Sequence, residues 1–162
     1  MGVKVILQDM NKLETGGLIV GFFEDVRPLK GLAGELDWLL CSSLSALIIK
    51  NKLRGALGEL ALLTSRGKVP ASKIFMLGLG PRRSVSPETV QEAARSAAAA
   101  AVGAGLTSAA IEYLGTPELS TETAVNALQQ GLADGSRGSS IEILLLAPDA
   151  ASYEKISRLI PA

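Results

Sequence analysis

Seven of the nine residues from Ala93 to Ala101 are alanine, and this tract limits the architecture more than any other stretch. Alanine is the strongest helix former, and a helix surfaced with methyl groups can approach a sheet closely. The preceding residues supply its start. Ser86 is placed as N-cap, Pro87 at the first helical position and Glu88 where an acid suits the helix dipole. The helix is expected to run to about Val102, with Gly103 and Gly105 offering the stop. Immediately upstream, Ile74 to Leu77 reads as a buried strand that enters the turn Gly78-Leu79-Gly80-Pro81-Arg82-Arg83.

The remaining chain repeats the alternation. Val3, Val5 and Leu7 suggest a strand with one face better buried, and the apolar run Leu18 to Phe23 suggests a central strand covered on both faces. Leu36, Leu39, Leu40, Leu44, Leu47 and Ile48 recur at helical spacing, so one amphipathic helix is expected from Leu32 onward. Leu60 to Thr64 reads as a short buried strand and Ala109 to Leu114 as another. A helix begins at Ser120, Gly131 to Ser140 reads as loop, and Ile141 to Leu146 is a last strand before a short helix. This order predicts a largely parallel sheet with helices on both faces, made mixed by an antiparallel element near the start. No repeat or long linker divides the 162 residues, so residues 1–162 are expected to form a single domain.

Composition removes several classes of function. The chain has no histidine, which excludes Ser-His-Asp and Cys-His catalysis and metal sites built on imidazole. Sixteen basic and sixteen acidic residues balance to zero, leaving no global field to gather nucleic acid. The single cysteine rules out an internal disulfide, no run reaches the roughly 18 apolar residues of a membrane span, and the N-terminus lacks secretory character. The expectation is a cytoplasmic protein without a membrane or nucleic-acid partner.

The glycine turn is the strongest candidate site. Ligands of open α/β sheets bind beyond the carboxyl ends of strands, and helix N-termini offer N–H groups to anions. Gly78, Gly80, Arg82, Arg83 and Ser86 are therefore the candidate ligand-binding residues, with the arginines suited to phosphate. The structural alternative is a hinge, because the turn matches neither G-x-G-x-x-G nor the P-loop, and Pro81 removes a donor. Glu24, Asp25 and Arg27 lie near the same sheet edge as loop charges. Cys41 is expected to pack as a small hydrophobe. Trp38, Phe22, Phe23 and Phe75 are expected in the core, and exposure of Trp38 would instead mark an interface anchor. No catalytic residue, metal ligand or cofactor is assigned.

The phrases "LIVGFFEDVRPLKGLAGELDWLL" and "KLRGALGELALLTSRGKVPASKIFMLGLGPRRSVSPETVQEAARSAAAAA" resemble the N-terminal domain of the leucyl aminopeptidase (cytosol aminopeptidase) family. The resemblance implies a macro-domain-like three-layer α/β/α sandwich with a mixed, largely parallel sheet, non-catalytic and contributing to assembly of a hexamer. The two-metal peptidase site of such enzymes lies in a separate C-terminal domain, and no "NTDAEGRL" segment occurs here, so no family catalytic or metal residue carries over. Where ADP-ribose binders place an "NAAN" loop, this chain has Gly21-Phe22-Phe23-Glu24, and their glycine-rich stretch is diluted in Leu29 to Gly34. The expected role is that of a non-catalytic module in protein association, as a homo-oligomer or with a partner such as an aminopeptidase. The alternative is a macro-like binder of ADP-ribose, a nucleotide or another phosphorylated small ligand.

Overall fold

A computed structural model describes residues 1–161. These residues form β1 (Gly2–Leu7), β2 (Gly17–Phe22), α1 (Gly31–Leu39), α2 (Ser43–Ile49), β3 (Leu60–Thr64), β4 (Lys73–Gly78), α3 (Pro87–Gly103), β5 (Ser108–Glu112), α4 (Thr121–Ser136), β6 (Glu142–Ala147) and α5 (Ala150–Leu159). The strands make one sheet in the order β1-β6-β5-β2-β4-β3. All neighbours are parallel except β3, which runs antiparallel to β4. The antiparallel strand thus lies at an edge and in mid-sequence, not near the start as expected.

Alternate residues of the central strands feed two cores. Leu18, Val20, Ile74 and Met76 pack under α1 and α2 with Leu32, Leu36 and Leu44. Ile19, Phe75, Leu77 and Ile111 face α3 and α4, and Ile156 of α5 joins that layer. Burial on both faces is why β2 and β4 read as unbroken apolar runs. The edge strand β3 is different: Leu60 and Leu62 are exposed while Ala61 and Leu63 face the α1–α2 core. Its apolar run had suggested burial, but helices cover only one of its faces.

The alanine tract packs more than the sheet. Ala94 and Ala98 of α3 meet Gly131 and Gly135 of α4, where added Cβ atoms would strike the Gln91 and Arg95 carbonyl oxygens. This contact explains why Gly131 to Ser136 continues α4 instead of forming the expected loop. Glycine costs roughly 1 kcal/mol in a helix relative to alanine, but here only its bare surface fits. Ser86 caps α3 as expected, accepting from the Thr89 N–H.

The expected single helix from Leu32 is two, α1 and α2, bent by 106°. Cys41 and Ser42 take left-handed conformations at φ 55° and 63°, and the Asp37 carboxylate accepts from the N–H groups of Leu44 at 2.9 Å and Ser45 at 3.0 Å. Asp37 therefore caps α2 from the preceding helix, which the apolar spacing alone could not reveal. Two expectations change with it. Cys41 is exposed between the helices, and Trp38 is 81% exposed on α1.

No single helix among the described residues is long and apolar enough to cross a membrane. The α3–α4 packing leads to a direct stability test. Gly135→Ala should destabilise the fold by about 1–3 kcal/mol through overpacking. Gly103→Ala, where a Cβ meets nothing within 4 Å, should be neutral or stabilising. Chemical denaturation of both variants checks this, and equal effects would contradict the close helix contact.

Candidate functional site

The glycine turn leaves the carboxyl end of β4 beside that of β2. Its N–H groups are engaged in succession: Gly78 donates to the Glu59 carbonyl at 2.8 Å, Leu79 to Phe22 at 2.9 Å and Gly80 to Gly55 at 2.8 Å. The Gly80 carbonyl accepts from the Glu24 N–H at 3.1 Å. Gly78 has no room for a side chain because the Ala56 carbonyl occupies that space, and Gly80 sits at φ 75°. Both glycines are thus required by close backbone approach and a left-handed turn.

The structure brings Arg82 into this corner. Its N–H donates to Asp25 Oδ1 at 2.9 Å, its guanidinium pairs with Glu118 at 3.0 Å, and it lies 5.5 Å from the centre of the Phe23 ring. The Arg82 hydrogen bond is also the main reason the Glu118 carboxyl is held below its ordinary value. Arg83 is exposed on the adjacent 3-10 turn. Ser86 is drawn away from the turn: its Oγ accepts from the Thr89 N–H at 3.3 Å and its own N–H donates to Thr89 Oγ1 at 2.9 Å. Arg82, Arg83, Val85 and Glu118 line an open depression of about 380 Å³.

A second set of N–H groups, from Arg54, Gly55 and Ala56, converges on the Glu59 carboxylate, with Gly55 closest at 2.6 Å. The anion held there is the chain's own side chain. Arg27 braces the same side, donating to the carbonyls of Phe23 and Arg54.

A separate cleft of about 190 Å³ opens between β2 and β5. These strands pair only from Gly17 with Ala109 to Ile19 with Ile111, whereas β5 stays paired with β6 through Glu112. Beyond Ile111, the β2 edge is met by a side chain: Glu112 Oε2 accepts from the Gly21 N–H at 3.0 Å. A Cβ at Gly21 would lie 2.7 Å from Leu79 Cδ1, so a side chain there would have to displace the Leu79 side chain. Burial raises the Glu112 carboxyl to about 7 against the weaker opposing pull of the Gly21 N–H. Burial also raises the neighbouring Tyr113 phenol, while a hydrogen bond with Thr121 pulls it down.

Lys30 and Gly31 at the start of α1 line the other wall, with Phe22, Phe23, Val26, Leu29 and Leu114 contributing apolar surface. Glu112, Tyr113 and Lys30 were not among the sequence-derived candidates. One signal was available: Glu112 is a charged residue at the carboxyl end of the otherwise apolar strand "SAAIE".

The six-stranded order, its single antiparallel edge and the cleft at the strand ends define a macro-domain-like α/β fold. The Oceanobacillus iheyensis macrodomain solved with ADP aligns with a TM-score of 0.75 at 13% identity, covering 97% of this chain and 88% of that one. A tomato leucine aminopeptidase variant aligns with a TM-score of 0.71 at 22% identity, covering 98% of this chain and 35% of that one. Residues 19–136 match the N-terminal domain of the cytosol aminopeptidase family, and the chain belongs to that family. A probable cytosol aminopeptidase of Geobacter sulfurreducens is 30% identical over 139 residues, which are 83% of this chain but 27% of the relative. The chain thus spans about a quarter of that relative's length.

Glu112 makes stability depend on pH in a defined direction. Its folded value of about 7 exceeds the ordinary 4.5, so its contribution is full below about 4.5 and is lost as pH rises through about 7. Glu112→Gln removes this loss. The stability difference between variant and parent should move in the variant's favour by on the order of 3 kcal/mol from acid to mildly alkaline pH. Denaturation at the two extremes measures it, and a pH-independent difference would contradict the buried-carboxyl assignment.

Proposed function

We propose that this chain is a non-catalytic association module of the cytoplasm that binds a second copy of itself or an aminopeptidase. The observation that carries this reading is Trp38, a large aromatic that is 81% exposed on the outer helical layer, which also presents Ile49 at 80% exposure. Tryptophan is among the residues most enriched at the centres of protein interfaces. Membership of the aminopeptidase family through its N-terminal domain supports a role in assembly.

Light scattering across a concentration series tests the proposal, alone and with a cytosol aminopeptidase added. The expected result is a defined oligomer or mixed complex that Trp38→Ala weakens at least tenfold, the 1.4 kcal/mol scale of an interface anchor. A monomer at every concentration that forms no mixed complex would overturn it. Metal-dependent cleavage of a leucyl amide by the purified chain would overturn the non-catalytic part.

A second reading, binding of ADP-ribose, a nucleotide or another phosphorylated ligand at Gly78, Gly80, Arg82, Arg83 and Ser86, is favoured by the two arginines beside the open depression. The related fold solved with ADP adds weight. In this reading the phosphate is held by guanidinium groups, since the turn's N–H groups are engaged within the fold. Thermal stability against ADP-ribose, nucleotides and inorganic phosphate tests it. A concentration-dependent rise in stability lost in Arg83→Ala supports this reading, and no response to any of them contradicts it.

A further inference from the structure

We propose that the cleft between β2 and β5 binds a free apolar α-amino acid, its ammonium on Glu112, its carboxylate against Lys30 and the start of α1, and its side chain along Phe22, Phe23 and Leu79. The walls carry opposite charges, Glu112 on the β5 side and Lys30 on the α1 side. Neither belongs to an ion pair among the described residues. A simple anion entering here meets Glu112, and a simple cation meets Lys30. A zwitterion satisfies both.

Glu112 is positioned to act as acceptor. The Gly21 N–H holds Oε2, leaving Oε1 available to a ligand donor, and a carboxylate can accept several hydrogen bonds. At the facing wall, α1 begins at Gly31 with no side-chain cap among the described residues, so its first N–H groups add to the attraction of Lys30 for a carboxylate. The remaining lining is largely apolar: Phe22, Phe23, Val26, Leu29, Leu79 and Leu114.

Size narrows the ligand. The volume of about 190 Å³ falls below the roughly 300–1,000 Å³ of sites that enclose drug-sized molecules. A leucine- or phenylalanine-sized molecule suits the space, whereas a complete nucleotide does not. Glu112 and Tyr113 also border a more open groove with Lys155, so the titratable groups that line the two cavities with Glu112 are Lys30, Tyr113 and Lys155. The first and last are lysines, and burial raises the Tyr113 phenol.

Calorimetric titration of the intact chain with L-leucine and L-phenylalanine tests the site. 3-Methylbutylamine and 4-methylpentanoate each lack one charged end, and ADP serves as the phosphorylated comparison. At least one amino acid should bind, with each single-charge analogue weaker by about tenfold or more. Glu112→Gln and Lys30→Ala should each reduce amino-acid binding by a similar factor. Lys30 is exposed at a helix start, so its variant tests the site even if the Glu112 substitution disturbs folding. Because the carboxyl titrates at about 7, affinity should rise about tenfold between about pH 6 and about pH 8. Absence of amino-acid binding at millimolar concentration overturns the proposal. So does binding that either folded variant leaves intact, or analogue affinities equal to those of the amino acids.

Discussion

Backbone hydrogen bonds at Gly78, Leu79 and Gly80 hold together three segments that the chain delivers separately. Leu79 binds back to β2, Gly78 to the loop before β3, and Gly80 to both Gly55 and Glu24. Gly78 must lack a side chain because the Ala56 carbonyl lies where its Cβ would be. The contact fixes the height at which β4 hands over to α3 and the position of Phe23 under Arg82. A polar turn that resembles an anion cradle in sequence is therefore a backbone junction in space, with its donors satisfied. The neighbouring N–H cluster at residues 54–56 follows the same logic, since it holds Glu59.

The cleft arises from the opposite circumstance, a place where pairing stops. β2 and β5 part after Ile19 and Ile111, and the Leu79 side chain packs over Gly21. Glu112 supplies the acceptor that the Gly21 N–H lacks there. One side chain thereby completes the sheet edge and places a partly buried carboxyl against an apolar cavity. Its raised proton affinity follows mainly from burial, and Lys30 stands on the facing wall without an ion-pair partner among the described residues.

Much of this fold was legible because local and tertiary preferences agree. The Ser86 cap, Pro87 and the alanine tract specify α3 without reference to the rest of the chain, and β2 and β4 declare central burial through continuous apolar runs. The misreadings occurred where tertiary contacts override local pattern. Gly131 and Gly135 look like loop residues until α3 approaches, and the leucine spacing from Leu32 hides a break capped by Asp37. β3 is apolar but lies at an edge. At the candidate site, Gly78, Gly80 and Arg82 do meet at one corner, while Ser86 is turned to its helix. Glu112 was illegible because its significance depends on where β2 and β5 cease to pair, a property of register rather than of any motif.

The N–H groups of the glycine turn are committed to holding the fold together. Residue-resolved amide hydrogen exchange at Gly78, Leu79 and Gly80, with and without inorganic phosphate, tests this commitment most directly. Protection like that of the interior of β4, unchanged by phosphate, is expected, because each donor already has a backbone acceptor. Rapid exchange at these three amides, slowed when phosphate is added, would contradict it and make the turn an open anion cradle.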